Sequence, residues 1–110
     1  MEYFATWCSP CRDSVAHLVD LNKKFSKQGV QALGLSLDDE GKAIREFIIA
    51  NKLNYPVAIA EEGMQANYAI RSVPTLYVIG KKGLIADKFM GYSEETEKRL
   101  DQLLLKLLSE

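Results

Sequence analysis

Both cysteines of the chain stand three positions apart, at the point where a short apolar run gives way to an amphipathic helical pattern. The stretch Phe4-Ala5-Thr6-Trp7-Cys8-Ser9-Pro10-Cys11 therefore reads as a strand running directly into a helix. That arrangement puts Cys8 at the helix N-terminus, where unpaired backbone N–H groups and the helix dipole favour negative charge. A thiolate is such a charge, and it is the nucleophile of thiol–disulfide exchange. A bridge across so short a loop removes little entropy from the unfolded chain. The pair thus reads as redox-active rather than as a structural staple.

Metal chemistry fits the same residues poorly. A structural zinc site generally takes four ligands, and His17 is the only other strong candidate. Haem attachment would need a histidine directly after Cys11, where Arg12 stands. No metal and no cofactor are expected. His17 lies six positions after Cys11, about 600° around the helix, and is expected on the surface.

The remaining composition narrows the class. A chain of 110 residues, 47% of them apolar, suits one small domain with a real core. The net charge of −1, with acids and bases mixed along the chain, argues against a nucleic-acid binder or a polybasic membrane-surface module. No apolar run is long enough to cross a bilayer.

Read in order, residues 1–5 form a strand, and Pro10 opens a helix that runs to about Gln28 and stops at Gly29. Residues 30–37 form a strand, expected to be interior. An acidic turn, Asp38-Asp39-Glu40-Gly41, leads into a helix over 42–51 with Ile44 and Phe47 on its inner face. A strand at 57–60 and a brief helix at 64–69 follow. Strands at 75–79 and 84–90 flank the tight connection Gly80-Lys81-Lys82-Gly83. Ser93 caps a last helix whose stripe is Leu100, Leu103, Leu104, Leu107 and Leu108. Strands alternating with helices, then a hairpin and a helix, describe a mixed sheet covered on both faces.

Three landmarks in this order, Phe4-Ala5-Thr6-Trp7-Cys8-Ser9-Pro10-Cys11-Arg12, Val73-Pro74-Thr75, and the Gly80–Gly83 hairpin with Gly91, resemble the thioredoxin-like superfamily. Within it the chain looks most like the extracytoplasmic thiol–disulfide oxidoreductases of the TlpA and ResA type. The resemblance implies an α/β protein: a three-layer α/β/α sandwich with a mixed sheet, spanning residues 1–110, with a helix–strand insert at about 40–60. It implies that Cys8 is the exposed attacking thiol and Cys11 the buried resolving thiol. Pro74 would be a cis-proline that turns Val73 outward to pair with an extended substrate, with Trp7 beside the disulfide. The resemblance also implies a buried acid that helps move protons. We assign it to Asp38, with Asp39 and Glu40 as alternatives. Where family members carry a proline in the first helix this chain has Ala16, so a straighter helix is expected.

The implied activity is reduction of protein disulfides, in this branch including haem-receiving apocytochromes and cytochrome c maturation. An upstream thiol–disulfide partner would restore the dithiol. The alternatives are a peroxiredoxin-like thiol peroxidase and a redox-inert binding module of the same fold. Peroxiredoxins place a threonine three residues before their cysteine, whereas Thr6 is two residues before Cys8. The first strand is brief for the centre of a sheet. The resemblance therefore leads us to expect either an N-terminally truncated piece of a secreted or membrane-anchored parent, or a homo-oligomer in which a second copy covers the exposed edge. An extracytoplasmic location is expected, with the cytoplasm as the alternative.

Overall fold

The computed structural model describes residues 1–38 and 40–110. Five strands form one mixed sheet in the order β3-β2-β1-β4-β5: β1 Glu2–Phe4, β2 Gly34–Ser36, β3 Val57–Ile59, β4 Thr75–Ile79 and β5 Ile85–Met90. β1, β2 and β3 run parallel, while β4 is antiparallel to both β1 and β5. The helices are α1 Ser9–Phe25, α2 Gly41–Ala50, α3 Glu62–Asn67 and α4 Glu94–Leu108.

The shortness of β1 sets the sheet. It is the central strand, and its three residues pair with Gly34, Leu35 and Ser36 on one side. On the other side Glu2 and Tyr3 pair with Leu76 and Thr75, and the Met1 carbonyl accepts from Tyr77 N at 2.8 Å. β2 is shorter than its apolar run of 30–37, because a ladder exists only where β1 and β3 lie alongside it.

Alternation along β1 sorts the core into two faces. Phe4 joins Cys11, Val15 and Leu18 of α1, Phe47 of α2 and Leu100 and Leu104 of α4 in the larger cluster. Its ring stacks on Phe47 at 5.3 Å between centroids. Tyr3 faces the other way, with Leu35, Tyr77, Tyr68 and Ile70. Connections that continue in one direction across β1, β2 and β3 put α1 and α2 on the same face. The second face is left to the short α3 and the residues that follow it.

Local signals account for the helix ends. Pro10 occupies the first turn of α1. The helix is unbroken through Ala16 to Phe25, then tightens into a 3₁₀ turn at Ser26–Gln28 and ends at Gly29 with φ +98°. α4 begins with a reciprocal cap: Ser93 Oγ accepts from Thr96 N at 3.2 Å, and Ser93 N donates to Thr96 Oγ1 at 2.8 Å. Gly34 is required by packing. A Cβ there would lie 3.1 Å from the Tyr55 ring and 3.2 Å from Phe4, so Tyr55 sits against the strand beside Glu2.

Candidate active site

Cys8 is the N-cap residue of α1, with extended backbone at φ −91° and ψ 111°. Cys11 falls in the first turn and donates its N–H to Cys8 O at 3.2 Å. The two are joined by a disulfide. Their environments differ. Cys11 is wholly buried, while Cys8 keeps 6% of its surface and lines an open groove of about 480 Å³ with Trp7, Pro10, Leu37, Ile70 and Val73. The sulfur of Cys8 lies 3.6 Å from the carbonyl oxygen of Val73.

The segment that forms the far wall is held from both ends. The Val73–Pro74 bond is cis, Pro74 O accepts from Gly91 N at 2.8 Å, and Thr75 Oγ1 donates to Ser72 O at 2.7 Å. Trp7 stands at the rim with 73% of its surface exposed. The turn between β1 and α1 carries it outward. Its indole adds exposed apolar surface beside the groove.

The acids are arranged differently from the sequence expectation. Asp38 is half-buried at the end of β2 and is saturated with donors. Thr6 N reaches Oδ2 at 2.9 Å, Thr6 Oγ1 reaches Oδ1 at 2.7 Å, and Ser36 Oγ reaches Oδ2 at 2.7 Å. Burial alone would raise its pKa, but the hydrogen bonds from Ser36 and Thr6 outweigh it and hold the carboxyl below its ordinary value. Such a group stays ionised and ties the Thr6–Trp7 turn to the sheet. Glu40 is exposed at the start of α2, and Asp39 lies outside the described residues.

Among the described residues the fully buried acid is Glu2. It is 2% exposed and points to the α1 side of the sheet, where Ser14 Oγ donates to its Oε2. Ser14 is one helical turn beyond Cys11 and shares its face. Among the described residues Glu2 Oε1 has no partner. Burial raises the Glu2 pKa to about 7, opposed by the Ser14 hydrogen bond and the Met1 amino group. The sequence held one signal for it: an acid inside an apolar strand, on the same face as Phe4. His17 also departs from expectation. It is largely buried between α1 and α4, its Nε2 2.9 Å from Asp101 Oδ1. The angle around α1 is right, but the face it selects meets α4 rather than solvent.

A second, apolar cleft of about 330 Å³ lies between α1, α4 and the β4–β5 turn. Its described lining holds no cysteine, histidine or carboxylate, so it offers no chemistry of this kind. No metal-binding cluster occurs among the described residues.

Residues 1–88 match the model of the AhpC/TSA family. The chain belongs to that family. Among AhpC/TSA relatives, the thiol-disulfide oxidoreductase ResA of Bacillus cereus (strain ZK / E33L) is 29% identical over 109 residues, covering 97% of this chain and 61% of that protein. The thioredoxin-like protein YneN of Bacillus subtilis (strain 168) is 33% identical over 105 residues, covering 92% and 62%. The chain thus spans about three fifths of the length of these relatives. Two solved structures share the fold. A thiol:disulfide interchange protein of the thioredoxin family from Chlorobium tepidum superposes with a TM-score of 0.85 at 23% identity, covering 97% of this chain and 77% of that one. A thiol-disulfide isomerase from Corynebacterium glutamicum gives 0.85 at 24% identity, covering 99% and 79%. The AhpC/TSA chain therefore has a thioredoxin-like α/β fold.

Proposed function

We propose that this chain is a thiol–disulfide oxidoreductase that reduces disulfides of protein substrates at Cys8 and Cys11. The observation that carries the reading is the asymmetry of the pair: one sulfur at the floor of a groove and at a helix N-terminus, the other wholly buried behind it. The names of the relatives, thiol-disulfide oxidoreductase ResA foremost, support the same chemistry.

The reaction begins from the dithiol. The Cys8 thiolate, favoured by the α1 N-terminus, attacks one sulfur of a substrate disulfide. A Cys8–substrate disulfide forms, and the substrate's other sulfur leaves as a thiolate that takes a proton. Cys11 then gives up its proton and attacks Cys8, forming the Cys8–Cys11 disulfide and releasing the second substrate thiolate. The substrate gains two electrons and two protons, and the enzyme loses them. An upstream thiol–disulfide partner returns the pair to the dithiol.

Each residue at the site has a role in this scheme. The Val73 backbone offers an edge to an extended substrate segment, by strand addition, with Pro74 shaping that edge and Trp7 covering the incoming disulfide. Cys11 needs a proton acceptor in a dry place. Glu2 suits that role better than Asp38: it is buried on the same side of the sheet, linked through Ser14 to the Cys11 turn, and poised near neutrality. Asp38 is better suited to positioning Thr6 and Trp7.

A thiol peroxidase has less support. Thr6 is the only threonine near Cys8 in sequence, and its hydroxyl is committed to Asp38 at 2.7 Å. We further propose an extracytoplasmic setting, with apocytochromes among the substrates, on the resemblance to the ResA branch. No described helix is long and apolar enough to cross a membrane.

The test is Cys8→Ser in a disulfide reductase assay with a generic protein substrate. Loss of turnover to the uncatalysed level is expected. Unchanged turnover would end this reading, and a parent protein that consumes peroxide without reductase activity, losing that consumption in Cys8→Ser, would favour the peroxidase.

A further inference from the structure

We propose that Glu2 exchanges its proton with solvent through a single water site and His17, opening on the groove between α1 and α4. The route shares no described residue with the substrate groove. The proposal rests on the proton role given to Glu2 above.

The geometry is a small cavity and a larger open groove whose linings share His17, Tyr92 and Glu97. Behind β1 lies a cavity of about 20 Å³, lined on its polar side by Glu2, Ser14, His17, Tyr92, Thr96 and Glu97. A water needs on the order of 10–15 Å³ of such volume and two to four polar partners, so this cavity has room for one water. Glu2 lines this cavity, and its Oε1 is buried with no protein partner among the described residues; a buried carboxylate oxygen calls for a donor. The Thr96 hydroxyl is already spent on Ser93. Ser14 Oγ, engaged as a donor to Glu2, can still accept.

His17 connects this cavity to the outside. It also lines an open groove of about 520 Å³, together with Tyr92, Glu97, Asp13, Asp20 and Lys98. Its Nε2 is fixed by Asp101, which is itself 43% exposed. The other ring nitrogen has no protein partner among the described residues. A ring held this way can take a proton from a water on one side and pass one to solvent on the other.

The charged and titratable groups around Glu2 come from each neighbouring element. They are the Met1 amino group, His17 on α1, Tyr55 before β3, Tyr92 before α4, and Glu97 on α4. Tyr92 donates to Glu97, and the Tyr55 hydroxyl is buried with its titration pushed up by burial and by Glu2. His17, Tyr92 and Glu97 each border both the cavity and the open groove; Tyr92 and Glu97 are engaged with each other, whereas the imidazole has two ring nitrogens, one of which can accept a proton while the other donates.

In the catalytic cycle the Cys11 proton passes to the Glu2 carboxylate, and Glu2 then returns it to bulk water by this route. No oxidant or further reactant is required.

A pH jump on the oxidised protein tests the route without using its activity. The Glu2 carboxyl infrared band is followed, assigned by its absence in Glu2→Gln, as pH is moved from below to above the Glu2 range. In His17→Ala we expect deprotonation slowed about tenfold or more, with added imidazole restoring it in proportion to concentration. His17→Gln, which keeps a hydrogen bond to Asp101 but carries no proton, is expected to be slow as well. Rates equal to the parent in both variants would show that Glu2 titrates by another path and overturn the proposal. Slowing that imidazole does not relieve would also overturn it, since that is the mark of a packing defect. Loss of reductase activity in Cys8→Ser concerns the disulfide chemistry alone and is read separately.

Discussion

Cys11→Ser is expected to leave the first half of the reaction intact and abolish the second. Cys8 still stands at the α1 N-terminus and at the floor of the groove, so it attacks a substrate disulfide as before. The Cys8–substrate disulfide then has no internal thiol to resolve it. Turnover should fall on the order of a hundredfold or more, because nucleophile and resolving group act as a unit. A covalent adduct should accumulate, visible as a mass increase that a reductant removes. The variant also leaves a small polar group in a wholly buried position, costing on the order of 1 kcal/mol or more. Circular dichroism of the adduct separates that cost from the chemical effect. An inactive variant that folds but forms no adduct would mean that Cys8 is not the attacking thiol.

The second large effect concerns pH and Glu2. Its pKa is raised by burial from 4.5 to about 7 in the folded chain. Between those values the folded state holds a proton that the unfolded state has released. Its contribution to stability is therefore complete below about pH 4.5 and is lost as pH rises through about 7. The loss amounts to about 3 kcal/mol, taking 1.36 kcal/mol for each tenfold change in proton affinity. Glu2→Gln removes this dependence. Urea unfolding of both proteins across that range should show the parent weakening relative to the variant as pH rises, with the gap closing again in acid. Parallel curves would mean that Glu2 titrates as an ordinary exposed carboxyl, and its proton role would go with them.

Much of this architecture was legible in the residues. The cysteine pair, Pro10, Gly29, the Gly80–Gly83 turn, Ser93 and the leucine stripe of α4 are local signals, and each appears where its local chemistry places it. The helix–strand junction at Cys8 is of the same kind. What local pattern could not supply was partnership. The length of β2 depends on how many residues its neighbours offer, so an apolar run of eight residues yields a strand of three. The 600° separation of His17 from Cys11 describes one helix alone, whereas its burial depends on α4 arriving alongside.

The acid was the least legible part of the site. Asp38 follows a core strand and has the right residue type, but its donors, Thr6 and Ser36, come from two segments that only the folded sheet brings together. Those donors hold its carboxyl in place and keep its pKa below the ordinary value. Glu2 was visible as an acid within an apolar strand. Its significance depends on Ser14 and the buried face of α1, and period-two alternation alone gives only the side of the sheet.

The central claim is that Cys8 and Cys11 form a working redox couple in the reducing range. Equilibration of the protein with thiol–disulfide buffers of graded potential, followed by alkylation and mass measurement, tests it most directly. The account predicts a single reversible two-electron transition with a midpoint near that of thioredoxin, about −270 mV. A pair that does not cycle reversibly, or a midpoint near −120 mV as in a strong oxidant, would contradict it.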